Sequence, residues 1–291
     1  MTYVGDKLDR FPAVKRVLRS LYRGMVKAPP KPPSPVLDRP TLRACLTARK
    51  PVVVEVGAND GFHTQWFLDL RGDAAIYCFE PDPRAVARFK ARIGPAARVQ
   101  LFQLALSNAQ GTATFYQSSG GEPGAHEAPA GQDWDASGSI KKPKKHLEKH
   151  ADIRFDSTLE IETRRLDDWC REAGIEQIDF LWMDVQGAER EVLEGAGDML
   201  ERTHFIYTEY SNEELYEGQA TLAELLRLLP GFEVLIVYPG DVLLRNKRFA
   251  FRPNRELREA IAAHGGAEAG SAISAGAGAG ADGGPRAKPA A

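Results

Sequence analysis

The chain is 291 residues long, with 38 basic and 40 acidic side chains, a formal charge of −2 and a pI near 6.3. That balance excludes a nucleic-acid protein whose whole surface is basic, so any basic partner site has to be local. Cys45, Cys78 and Cys170 are widely spaced and odd in number, which argues against a disulfide scaffold or structural zinc and for small core residues. No apolar run approaches the roughly 20 residues that span a bilayer, and no signal-peptide core opens the chain. The expectation is a soluble, cytoplasmic protein.

Residues 1–40 differ in composition from the rest of the chain. From Leu8 to Lys27, Val14, Val17, Leu18, Leu21, Tyr22 and Met25 recur at helical spacing, while Lys15, Arg16, Arg19 and Arg23 fall largely around the other side. Two readings stay open: a basic amphipathic helix making a peripheral membrane contact, or a helix packed on the domain or on a second subunit. The Pro-rich run APPKPPSPVLDRP after it is an extended, semi-rigid spacer.

Residues 41–252 alternate strand and helix signals. PVVVEVG (51–57) is a short, nearly continuous apolar run, as a buried parallel strand should be. His63 to Leu70 reads as helix, AAIYCFE (74–80) as a second strand and Pro83 to Ile93 as a second helix, with Pro83 suited to a first turn. RVQLFQLAL (98–106) makes a third strand, and GTATFYQ (111–117) alternates like an extra strand or hairpin arm. Ser118 to Ser157 then reads as a long irregular segment, lid-like in length and composition. LEIETRRL (159–166) resumes strand character, followed by a short helix closed by Gly174. IDFLWMD (178–184), a helix over 187–201, HFIYTEY (204–210), a helix over 221–229 and an antiparallel pair, 232–238 with 241–246, complete the domain. Residues 253–291, almost entirely Ala, Gly and Ser toward the end, are expected to be a disordered tail. The β-α-β order predicts an α/β fold, a mostly parallel sheet with helices on both faces, and ligands bound beyond the carboxyl ends of its strands.

Acids and a glycine loop fall at those strand ends. The first strand runs into Gly57-Ala58-Asn59-Asp60-Gly61, whose glycines let the backbone come close to a ligand. The second ends at Glu80, placed to accept both hydroxyls of a ribose. Dinucleotide binders share that geometry, but the third glycine of G-x-G-x-x-G is missing, and an adenosine ligand without a diphosphate fits better. A nicotinamide-dependent dehydrogenase and a non-catalytic adenosine-cofactor-binding scaffold remain the alternatives.

VVVEVGANDG, CFEPDP, LALSNAQGTATF, RRLDDWC and IDFLWMDVQGAEREVLEGAGDML, in that order, resemble the FkbM family of S-adenosylmethionine-dependent methyltransferases from about Pro51 to Asn246. The resemblance implies a Rossmann-like methyltransferase fold, with a seven-stranded sheet whose last strand is antiparallel. It also implies methylation of a hydroxyl oxygen on a small-molecule or glycan acceptor. By position, Glu55, Gly57, Asn59 and Gly61 match the motif that holds the methionine part of the cofactor, Glu80 the ribose acid, and Ala105 and Leu106 the adenine-side positions. Trp182 stands where many members have lysine.

Asp184, ending the fourth buried strand, is the first candidate to take the proton of an acceptor hydroxyl; the plainer reading is a helix cap. Glu209, ending the next strand, is the second candidate, and His63, after the glycine loop, the third. Glu189 sits where a carboxylate is favoured by the helix dipole alone. Asp184 and Glu209 could bracket a divalent cation, but nothing in their spacing demands one, so no metal is expected. Trp134 and Ser139 are candidates for the acceptor side. KKPKKHLEKH (141–150) reads as a solvated loop face, and no nucleic-acid partner is expected.

Overall fold

The computed structural model describes residue 34 and residues 36–120 and 134–264. The expected N-terminal helix and the Ala/Gly-rich stretch after His264 lie outside the described residues. Helix α1 (Arg39–Cys45) starts where the Asp38 side chain accepts from Thr41 N at 2.9 Å. Strand β1 (Val52–Val56), helix α2 (Phe62–Leu70) and strand β2 (Ala75–Phe79) come next. Helix α3 (Pro83–Ile93) is capped by Asp82, which accepts from Arg84 N, and Pro83 fills a first-turn position that needs no N–H partner.

The chain continues with β3 (Val99–Phe102), β4 (Ala105–Leu106), β5 (Gly111–Gly120), the one-turn helix α4 (His146–Lys149) and β6 (Ile153–Arg164). Helix α5 (Leu166–Ala173), β7 (Ile178–Met183), α6 (Glu189–Ala196) and β8 (Thr203–Glu209) extend the alternation. Helix α7 (Leu222–Leu228), opened by a Thr221–Glu224 capping box, leads to β9 (Phe232–Val237), β10 (Asp241–Asn246) and α8 (Arg255–His264).

Seven strands form a mixed sheet in the order β3-β2-β1-β7-β8-β10-β9. The pairings from β3 through β8 are parallel, and β10 runs antiparallel to β8 and β9. Alternate residues of each strand face opposite sides. Val54, Val56, Leu181 and Met183 pack with Trp169 of α5, Val192 of α6 and Leu225 of α7. Val53, Ile76, Phe180 and Trp182 pack with Leu42 of α1, Phe67 of α2, Phe89 of α3 and Leu257 of α8. Both faces are therefore buried, which is why the central strands read as continuous apolar runs.

Three details depart from the sequence reading. The single strand expected over 98–106 is two: β3 joins the large sheet, and β4 switches to a second, three-stranded sheet of order β4-β6-β5. The segment 118–157, expected to be irregular, is shorter than that. Strand β5 runs to Gly120 and β6 begins at Ile153, because Ile153 and Phe155 already alternate inward. The fold also continues past the boundary expected at residue 252. Leu257 of α8 is 1% exposed, and the His264 ring nitrogens lie 2.9 and 2.8 Å from the carbonyl oxygens of Ala260 and Ser34. Among the described residues, no helix is long and apolar enough to cross a membrane.

Candidate active site

A pocket of about 640 Å³, part of it open mouth, lies beyond the carboxyl ends of β1, β2 and β7. Its apolar wall is Val56, Phe79, Leu104, Ala105 and Leu106, backed by a Trp169 ring set edge-on to Phe79 at 5.0 Å. The L-D-D-W motif thus supports the wall from α5. The strand switch between β3 and β4 carries Ala105 and Leu106 to the pocket, where both are buried.

The loop after β1 forms the floor. Gly57 has φ +81°, and a Cβ there would run into the carbonyl oxygen of Asp184; the adjacent strand ends touch backbone to backbone. Asn59, at φ +43°, also lines the pocket. Gly61 does not. Its φ is +80° and a Cβ would meet Phe89 and Ile93 of α3 at 2.9 Å, so this glycine lets α2 seat against α3. Glu55 lies behind the loop, 1% exposed. Its Oε2 accepts from Thr64 Oγ at 2.5 Å, and its Oε1 has no partner among the described residues. Burial pushes its pKa up to about 8.

Glu80 is 5% exposed and lines the pocket. Its Oε2 accepts from Asn59 N and its Oε1 from Asp82 N, both at 2.8 Å. The one side chain thus braces the glycine loop and the start of α3 together. Burial raises its pKa to about 8, against those two N–H bonds, which favour the ionised form. Opposite stands the stretch 134–140, part of the segment expected to be a lid. It is tied down as a wall: Tyr116 N donates to Ser139 O at 2.7 Å, Ser139 Oγ to Gln186 O at 2.7 Å, and Ser137 N to Ser118 Oγ at 3.1 Å. Asp135 in this wall is ion-paired with Arg88 of α3. Ser139 lines the pocket, whereas the Trp134 indole N–H donates to Ser137 Oγ at 2.8 Å inside its own loop.

Asp184 lines the pocket where β7 ends. It does not cap α6, whose N-cap position is Ala188. Its Oδ1 accepts from Gln186 Nε2 at 2.7 Å, and the same nitrogen donates to Glu209 Oε2 at 2.8 Å. Burial, then the charges of Asp184, Glu189 and Asp241, hold the Glu209 carboxyl well above the usual range. Asp241, opposite Glu209 in the β10–β8 register, is raised to about 7, chiefly by burial. Glu189, raised to about 7 by burial, accepts from Gly187 N at 3.3 Å and Val185 N at 3.4 Å, the helix-start role its position favours. The Gln186 amide nitrogen thus bridges Asp184 and Glu209. Among the described residues no group of three acids, histidines or cysteines is arranged to hold a metal.

The structure thus brings Gly57, Asn59, Glu80, Ala105, Leu106 and Asp184 to one pocket and joins Glu209 to them through Gln186. His63 is not in that lining: its ring lies on Trp182, with centroids 4.3 Å apart, and meets Trp66 edge-on. Trp182 is 4% exposed among Phe67, Phe180 and Tyr207. In the 141–150 run, expected as a solvated face, Lys142, Lys144 and Lys149 pair with Glu217, Glu214 and Glu213 at the surface, whereas Lys141 pairs with Glu191 where both are mostly buried and His146 is buried. Sequence reasoning missed Gln186, Asp135, Arg88, Tyr216 and Asp241. Gln186 sits inside the D-V-Q-G-A-E block, and Tyr216 comes after the end of β8, so the strand-end rule could have flagged both.

The donor set fits an adenosine-bearing methyl donor. A buried carboxyl group and an apolar wall line one pocket, and a glycine loop with no room for a Cβ forms its floor. The family model of the methyltransferase FkbM domain matches residues 55–235. The chain is 47% identical over 222 residues to the 2-O-methyltransferase NoeI of Sinorhizobium fredii (strain NBRC 101917 / NGR234), covering 75% of this chain and 88% of that protein. It is 33% identical over 230 residues to the AMB antimetabolite synthetase AmbE of Pseudomonas aeruginosa, covering 69% of this chain and 10% of that protein. Among solved structures, a methyltransferase FkbM from Methylobacillus flagellatus KT aligns with a TM-score of 0.40 at 14% identity, over 70% of this chain and 47% of that one.

Proposed function

Because the chain belongs to the family of FkbM-domain methyltransferases, we propose that it methylates a hydroxyl oxygen of a sugar, glycan or natural-product acceptor. Methyltransferase chemistry and the use of S-adenosylmethionine follow from that membership. Oxygen as the receiving atom is supported by the relative named a 2-O-methyltransferase. The strand order, with β10 reversed, supports reading the domain as the Rossmann-like methyltransferase fold. The observation that carries the proposal is that Glu80 and Asp184, on the ends of β2 and β7, share one pocket with the Gly57 loop between them.

In this reading Glu80 takes the ribose hydroxyls, Phe79, Ala105 and Leu106 flank the adenine, and the Gly57–Asn59 backbone holds the methionine part. When bound, S-adenosylmethionine supplies an electrophilic methyl carbon on a sulfonium. The protein's task is to hold the acceptor oxygen about 3–3.5 Å from that carbon and in line with the sulfur. Asp184 accepts the hydroxyl proton, since a neutral alcohol is a poor nucleophile. Glu209, whose carboxyl burial and the neighbouring acids hold well above the usual range, is joined to Asp184 through the Gln186 amide. The wall 134–140 excludes water from one side.

The test is a calorimetric titration with S-adenosylhomocysteine and, separately, NAD. A screen of monosaccharides, oligosaccharides and natural-product alcohols for S-adenosylhomocysteine release completes it. Tight binding of the homocysteine product with none of NAD, and release above the no-acceptor background, support the proposal. NAD binding, or no release with any alcohol, defeats it.

A further inference from the structure

Gln186 has backbone geometry that its residue type rarely adopts. Its φ is +53°, in the left-handed region, and Gly187 is next at φ +94°. A non-glycine residue is held there only when its surroundings over-determine it. What holds it is on both sides. Its carbonyl oxygen accepts from Ser139 Oγ in the wall. Its side-chain amide spends both donors on the acids, at 2.7 Å to Asp184 Oδ1 and 2.8 Å to Glu209 Oε2. Its Oε1 lies 3.1 Å from the Tyr216 hydroxyl, which also lies 2.8 Å from Ser137 O. The amide orientation is therefore settled, because a flipped amide would turn an acceptor toward two carboxyl groups.

We propose that Gln186 is a positioning residue that holds Asp184 and Glu209 as one acid pair for the acceptor hydroxyl, a proposal that rests on the methyl-transfer reading above. Gln186 lines the pocket beside Asp184. It acts by giving each acid an N–H, which fixes the Asp184 carboxyl in place at the pocket. Only an amide of this length serves. Glutamate would present acceptors to acceptors, and asparagine is one methylene short of spanning the two. The groups that face the pair are Glu189 at the start of α6, Asp241 at the start of β10, and Tyr216 from the segment between β8 and α7. None is a cation; Glu209 is hydrogen-bonded to Asp184 itself, which raises its carboxyl further, and the Gln186 amide donates to both.

Gln186→Gly separates positioning from folding, since glycine takes φ +53° without strain. Protein labelled with ¹³C at Asp and Glu carboxyls is titrated by NMR, with Asp184→Asn and Glu209→Gln identifying the signals. Melting temperature is measured beside it, and S-adenosylhomocysteine release is monitored over the acceptor screen. The expected result is a little-changed melting temperature, relieved strain offsetting the lost hydrogen bonds, with the Glu209 midpoint raised further. Turnover falls roughly tenfold or more, and the pH profile of turnover shifts. Gln186→Asn, which tolerates the same backbone, shows the same direction and stands in if the glycine variant does not fold.

A Glu209 midpoint and a pH profile unmoved in both variants overturn the proposal and leave the methyltransferase reading standing. If the Glu209 midpoint moves but Asp184→Asn still turns over at the wild-type rate, the reading of Asp184 fails and the proposal falls with it.

Discussion

Replacing Glu80 with alanine removes two things at once, and the structure lets each be sized. The side chain is 5% exposed and accepts from Asn59 N and Asp82 N at 2.8 Å. Stranding the buried Asp82 N–H costs about 1–3 kcal/mol, and losing the half-buried Asn59 bond about 0.5–1.5 kcal/mol. For a domain of this size each kcal/mol lowers the melting temperature by about 2–4 °C, so a fall of roughly 3–18 °C is expected. Losing its hydrogen bond to the ribose costs a further ~0.5–3 kcal/mol of affinity, more where the carboxyl is ionised, or roughly 2–150-fold in Kd for S-adenosylhomocysteine. Thermal melting and calorimetry on the same variant, titrated below its own transition, read the two effects separately. A lowered melting temperature with unchanged Kd leaves Glu80 a loop brace only. Neither quantity moving would falsify the placement of Glu80 in the site.

Gly57→Ala combines left-handed strain of about 1–2 kcal/mol with a clash into Asp184 O. It should lower the melting temperature more than Gly61→Ala, whose Cβ meets only side-chain ends of Phe89 and Ile93. Equal melting temperatures count against the β1–β7 contact. Buried Glu55 and Glu80 are pushed up to about 8, and Glu189 and Asp241 to about 7. Each binds its proton more tightly folded than unfolded, so its stabilisation is full below the ordinary carboxyl range, near pH 4, and is lost as pH rises through 7–8. The melting temperature should therefore fall between about pH 5 and pH 8.5 in matched salt; a rise over that window contradicts the raised values.

Strand ends carried most of what could be read in advance. Continuous β-branched runs located β1 and β7, and the residues closing β2 and β7, Glu80 and Asp184, line one pocket because parallel strands end on the same side. The rest depended on neighbours remote in sequence. Gly61 looked like a ligand-approach glycine, yet its constraint comes from Phe89 and Ile93 on another helix. His63 comes directly after the glycine loop, and what decides its place is Trp182, more than a hundred residues on. Asp241 meets Glu209 only because β10 inserts antiparallel beside β8. The sheet switch inside 98–106 left no turn residue to mark it, since Gln103 and Leu104 read as strand.

Asp184 receiving the proton of a hydroxyl that is then methylated is the central claim. The direct measurement incubates the enzyme with methyl-¹³C S-adenosylmethionine and each acceptor that releases S-adenosylhomocysteine, then reads the product by ¹³C NMR and the rate for wild type and Asp184→Asn. Label is expected in an O-methyl group, with cofactor affinity within a few-fold but turnover by the variant lower by roughly 10²–10⁴-fold. Label on nitrogen or carbon, or a variant as fast as wild type, contradicts it.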